Sequence, residues 1–83
     1  MQQQQPRKSI LSLDRKTEFP KLTASNSFVA EGMIFYCEKE DTVYVCWEYK
    51  SRYKIASFAT KDVAKEWIYK NIKKIKVRID EQR

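Results

Sequence analysis

The sequence predicts an α+β fold: a three-stranded antiparallel meander packed on one C-terminal helix (βββα), with residues 75–79 as an optional fourth, edge strand. Three observations predict it. Residues 33–37, 43–49 and 53–58 are runs rich in β-branched and aromatic residues, separated by short polar breaks. Thr60 stands before a stretch whose apolar residues recur at helical spacing. Finally, 83 residues with 42% hydrophobic and 13% aromatic content suffice for one packed domain and no more. The chain divides into a flexible basic N-terminal tail over 1–26, a single α+β domain over 27–80 and a short C-terminal end at 81–83.

The tail opens Gln2, Gln3, Gln4, Gln5, Pro6 and continues through Arg7, Lys8, Arg15 and Lys16, polar and basic with little periodicity. Inside it Ile10, Leu11 and Leu13 form one apolar patch and residues 19–22 another, where Pro20 disfavours a helix. Such patches dock either on the domain itself or on a partner.

Gly32 sits at the start of the first strand. If Asp41 and Thr42 form the turn of the first hairpin, Cys37 lies opposite Cys46, Tyr36 opposite Trp47 and Ile34 opposite Tyr49. Carrying the pairing through a two-residue break at Ser51 and Arg52 sets Ala56 beside Trp47 and Phe58 beside Val45. The resulting apolar face is the expected core face. Its opposite is mixed, with Phe35, Cys37, Lys39, Tyr44, Cys46, Glu48, Lys50, Tyr53 and Ile55. A three-residue loop would exchange the two faces.

Thr60 then offers an N-cap oxygen and Asp62 suits the positive end of the helix dipole. Val63, Ala64, Trp67 and Ile68 span about 140° of the helix surface and form its packing stripe. On this register Trp47 and Trp67 belong to the facing surfaces of sheet and helix. Beyond Asn71, Ile75, Val77 and Ile79 alternate with Lys74, Lys76 and Arg78 as in an edge strand, although Ile72 and Ile75 also continue the helix.

Composition narrows the function classes. Histidine is absent and Cys37 and Cys46 are the only cysteines, too few for a four-ligand zinc site, so no metal or cofactor is expected. The two cysteines read first as small buried hydrophobes, with a disulfide or a redox pair as the alternatives. One glycine in the whole chain leaves no phosphate-binding glycine loop, and Glu38, Glu40 and Asp41 cluster where a solvated turn explains them. The chain is therefore read as not an enzyme. No apolar run approaches a membrane span, and the N-terminus lacks a secretory pattern, so the expected location is intracellular and soluble, in the cytoplasm or the nucleoid or nucleus.

The net charge is +6, distributed as +3 over residues 1–26, −1 over 27–60 and +4 over 61–83. Basic ends around a near-neutral middle direct attention to acidic partners, DNA or RNA. The candidate contacts are Lys39, Tyr44, Lys50, Arg52, Tyr53 and Lys54, where aromatic rings interleave with cations, and a second basic run, Lys73, Lys74, Lys76 and Arg78. The reading from a different class is a protein-interaction module, an adaptor or inhibitor, monomeric or a homodimer, or a subunit of a larger assembly. It would dock through its aromatic sheet face and N-terminal tail, and the acidic first hairpin favours it.

Residues 57–68, Ser-Phe-Ala-Thr-Lys-Asp-Val-Ala-Lys-Glu-Trp-Ile, resemble the last strand and first helical turns of the arm-type DNA-binding domains of tyrosine integrases. The element order is similar too. The resemblance implies a sheet that inserts side chains into the DNA major groove with the helix packed behind, and Lys50, Arg52 and Lys54 occupy the matching strand positions. A similar stretch occurs in the small domain that precedes some ribonucleases H and binds RNA/DNA hybrids.

Overall fold

The structure, a computed structural model, describes residues 15–82. The chain forms an α+β fold of four strands, β1 (Ser27–Ala30), β2 (Met33–Glu40), β3 (Val43–Glu48) and β4 (Lys54–Phe58), followed by two helices, α1 (Lys61–Lys70) and α2 (Ile72–Gln82). The strands pair antiparallel in the order β1-β2-β3-β4. The apolar patch Ile10, Leu11 and Leu13, the cations Arg7 and Lys8, and Arg83 lie outside the described residues.

The first hairpin has the expected register. Cys37 pairs with Cys46 and Tyr36 with Trp47, and the Tyr49 amide donates to the Ile34 carbonyl at 2.7 Å. Asp41 makes the turn by adopting φ 61°, a left-handed conformation that aspartate tolerates better than most residues. Cys37 and Cys46 are joined as a disulfide, with Cα atoms 4.2 Å apart. The Cys37 amide is turned away from β3 and donates to the Asn26 carbonyl at 2.8 Å. In the β2-β3 ladder the two cysteines are therefore a non-hydrogen-bonded pair, the close kind whose side chains approach each other.

A fourth strand is present, but it lies before the expected meander. Ser27–Ala30 pairs with β2 through a two-residue turn of Glu31 and Gly32, both at positive φ (51° and 79°). A two-residue hairpin turn with both central residues left-handed matches the strand twist, and glycine supplies one of them without strain. The Tyr69 hydroxyl donates to the Val29 carbonyl at 2.9 Å, which blunts the outer edge of this strand.

Residues 75–79 are helical, which corrects the edge-strand expectation for that segment. Ile75 and Ile79 fall on one face in either periodicity, so only Val77 distinguishes them. Ile72, Ile75 and Ile79 are buried at 8%, 0% and 2% exposure while Val77 is 55% exposed. One stripe at helical spacing is thus covered, and strand alternation would have hidden Val77 as well. Asn71 joins the helices: its backbone and side-chain amides both donate to the Trp67 carbonyl, and its own carbonyl accepts from Ile75. The N-terminus of α1 is as expected, with the Thr60 hydroxyl accepting from the Val63 amide at 3.1 Å. The packing stripe is Ala64 and Ile68, with Trp67 partly buried at its flank; Val63, expected in it, is 47% exposed.

The helices cover the face expected to be mixed. Phe35, Cys37, Cys46 and Ile55 form one buried cluster with Ala64, Ile68, Ile72, Ile75 and Ile79. Tyr36, Val45 and Trp47, expected to meet the helix, form a second cluster on the other face under Phe19 and Leu22. Trp47 and Trp67 are consequently separated by the sheet. The register of β4 also differs: Cys46 pairs with Ala56 and Tyr44 with Phe58, one residue away from the expected partners. Between Cys46 and Trp47 the pairing jumps from Ala56 to Lys54, so Ile55 is the extra residue of a bulge. The slip moves Ala56 and Phe58 to the helix side, where Phe58 meets Trp67 with ring centroids 5.5 Å apart, and the bulge keeps Ile55 in the same core.

Candidate nucleic-acid interface

The site begins with a buried carboxylate. Glu48, at 2% exposure, closes the end of β3 and accepts hydrogen bonds from the amides of Ser51 (2.7 Å) and Lys50 (3.2 Å). The Glu48 carbonyl accepts from the Arg52 amide at 2.7 Å and its amide donates to the Tyr53 carbonyl at 3.0 Å. Four hydrogen bonds from one residue shape the β3-β4 loop, and Arg52 adopts φ 64° to close it. Glu48 was expected on the mixed face, opposite the expected core. Its charge instead lies beneath the loop, where backbone amides satisfy it.

This loop gathers Lys50, Ser51, Arg52 and Tyr53 at one end of the sheet, with Lys54 opening β4. Lys39 and Tyr44 are cross-strand partners at the other end, the ammonium 6.0 Å from the ring centroid. The six residues of β3 hold the two groups roughly 17 Å apart. The ten expected contacts therefore form three sets, the third being Lys73, Lys74, Lys76 and Arg78 on the exposed side of α2. Arg78 has Glu81 one helical turn away at 3.7 Å.

The tail supplies a residue that sequence reading missed. Residues 15–26 lie across the sheet as a strap. Arg15 bridges to Tyr53 at the edge of β4, with its guanidinium 5.1 Å from the Tyr53 ring centroid. Arg15, Lys50, Ser51, Tyr53 and the α2 residue Gln82 line an open recess of about 390 Å³. No local signal links Arg15 and Gln82 to the loop residues, because the strap, the β3-β4 loop and the end of α2 are far apart in the chain. Arg52 is committed elsewhere: its carbonyl accepts from the Lys16 amide at 3.0 Å, its Nη1 donates to the Thr17 carbonyl at 2.8 Å, and its guanidinium lies 5.3 Å from the Phe19 ring centroid.

Further along the strap, Lys16 Nζ meets Glu38 Oε2 at 3.0 Å, and the Tyr36 hydroxyl donates to Glu38 Oε1 at 2.8 Å. Burial by itself would raise the Glu38 carboxyl; the hydrogen bonds from Lys16 and Tyr36 and the Lys16 charge outweigh it and hold the group below its usual value. Burial pushes the Tyr36 hydroxyl up from 10.0 to about 12, helped by the Glu38 hydrogen bond and charge. The signs set a pH window. The depressed carboxyl contributes stability that is present above its unfolded value of 4.5 and lost as pH falls through the folded value. The raised phenol contributes stability that is present below pH 10.0 and lost as pH rises through about 12. Chemical denaturation across pH should therefore show a plateau between these limits, and Glu38→Gln should flatten its acid edge.

Among the described residues no group of three or more histidine, cysteine, aspartate or glutamate side chains could hold a metal ion, and no helix is long and apolar enough to cross a membrane. No family model matches this chain, and no curated protein or solved structure matches it either.

Proposed function

We propose that this chain is a small non-enzymatic nucleic-acid-binding module that grips phosphates of DNA or RNA through its basic loop cluster and the exposed side of α2. The observation that carries the reading is the recess of Arg15, Lys50, Ser51 and Tyr53. Two cations and two hydroxyl-bearing side chains converge there, and among the described residues no carboxylate takes part in the lining. These are donors of the kind that hold phosphate oxygens. The C-terminus of α2 arrives at the same recess through Gln82, and Lys73, Lys74, Lys76 and Arg78 lead away from it along the helix. Such a surface positions a backbone and reads no sequence. Lys39 and Tyr44, at the far end of the sheet, are outlying contacts in this arrangement.

Anisotropy of labelled single- and double-stranded DNA and RNA, titrated at about 50 and 200 mM salt, tests it. Affinity should fall steeply with salt. Lys50→Ala combined with Lys73→Ala, Lys74→Ala and Lys76→Ala should weaken binding to all sequences alike. The same variant should flatten the salt slope by about 1 for each phosphate that is no longer neutralised. An unchanged slope would sink the assignment of these lysines.

One observation favours the protein-interaction reading. Val29 and Ile34 are cross-strand partners on the outer sheet face, and with Tyr49 they leave a patch beside the strap at 58%, 36% and 37% exposure. Association through that patch would resist salt. The intracellular location that goes with nucleic-acid binding bears on the Cys37–Cys46 bond, since a reducing compartment holds such pairs as thiols.

A further inference from the structure

The outer face of the sheet carries an arrangement that the phosphate contacts leave unused. Tyr36 and Trp47 are cross-strand partners with ring centroids 6.2 Å apart, and Tyr49 follows two residues later on the same face. The strap lays Phe19 on these three rings: 5.0 Å from Tyr36, 6.2 Å from Trp47, and stacked on Tyr49 at 5.5 Å with 25° between planes. Two cations bracket the group, Lys16 lying 4.8 Å from the Trp47 centroid and Arg52 lying 5.3 Å from that of Phe19. A flat ring held against aromatic faces, with an ammonium and a guanidinium at its rim, occupies the surroundings that a nucleobase and its phosphate require.

We propose that Tyr36, Trp47 and Tyr49 form a stacking platform for the bases of single-stranded nucleic acid, and that Phe19 occupies a base position until an incoming strand displaces it. The inference rests on the nucleic-acid reading above and names the form of ligand and its regulation. The strap is suited to lifting. Among the described residues two hydrogen bonds to Arg52, the Arg15–Tyr53 bridge and the Lys16–Glu38 ion pair tie it down, and Thr17, Glu18, Pro20 and Lys21 are exposed. Phe19 and Leu22 pack on the outer cluster and take no part in the core between sheet and helices, so lifting them leaves that core intact. Displacement also releases Lys16 from Glu38 and Arg52 from the Thr17 carbonyl, turning two internal contacts into phosphate contacts. Duplexes are excluded from the platform because their base faces are already stacked.

The test compares single strands and duplexes of about 20 nucleotides in a Trp67→Phe background, where Trp47 is the remaining indole. Phe19→Ala should bind single strands about tenfold more tightly, because the competition for the platform is gone, while its affinity for duplex stays the same. Trp47 emission should be quenched on binding, and Tyr49→Ala should weaken single-strand binding. Should Phe19→Ala fail to fold, Glu38→Gln, which removes the charge that holds Lys16 and keeps an oxygen to accept from the Tyr36 hydroxyl, carries the same expectation of tighter single-strand binding. Salt-sensitive binding with no response to either strap variant, or with Trp47 emission unaltered, overturns the platform and leaves the phosphate reading standing. Absence of binding by any form at about 50 mM salt removes both.

Discussion

Ile75→Ala is expected to destabilise the protein by about 4 kcal/mol, the upper part of the range for deleting a fully buried branched side chain. Ile75 is 0% exposed and shares the helix-side core with Phe35, Ile68 and Ile79. The lost transfer energy of the deleted methyl and methylene groups adds to a cavity that a small, thin core cannot refill. Domains of this size are stable by only about 5–15 kcal/mol, so the melting temperature should fall by roughly 20 °C in a thermal scan followed by circular dichroism. Val77→Ala is the matched control, since its exposed side chain should change stability by no more than about 0.5 kcal/mol. Equal losses at both positions would contradict the helical burial pattern of α2, because only a buried strand would hide both residues.

Opening the disulfide should have the next largest effect. Cys37 and Cys46 are separated by nine positions and close a short loop, for which restriction of the unfolded chain predicts about 2–3 kcal/mol. Reductant should lower the melting temperature of the natural chain by roughly 10–20 °C and leave a Cys37→Ala, Cys46→Ala variant unmoved. Both cysteines are buried, so part of the loss in the variant also comes from the volume removed beneath α1. A natural chain whose melting does not respond to reductant would show that the bond adds nothing to stability.

The cysteine pair also shows what was legible along the chain. Its register followed from the two-residue turn at Asp41 and Thr42, and the α1 cap followed from Thr60 three residues before Val63; both are contacts between near neighbours. β1 was missed because its turn is Glu31-Gly32 rather than the Asn-Gly or Asp-Gly that usually marks such a hairpin. The β4 register was missed because Glu48 organises a longer loop than the two-residue break, and the bulge at Ile55 has no sequence signature. In the candidate site, Lys50 and Tyr53 were visible as interleaved cation and ring, and Ser51 only as part of the break between strands. Arg15 and Gln82 were not, since only folding brings them to the same recess.

The runs of β2, β3 and β4, the first hairpin register and the capped start of α1 were determined by the sequence alone, because side-chain periodicity and turn stereochemistry act over a few residues. Which face of the sheet is inside was decided only in three dimensions. Both faces carry large apolar residues, so alternation distinguishes them without saying which one the helices take. The choice was a competition between two covers, the isoleucine stripe of α2 from one end of the chain and the Phe19 strap from the other. The same competition made residues 72–82 a helix. A strand there would have had to bury Val77, whereas the helix sets Ile72, Ile75 and Ile79 against the sheet and leaves the lysines between them in water.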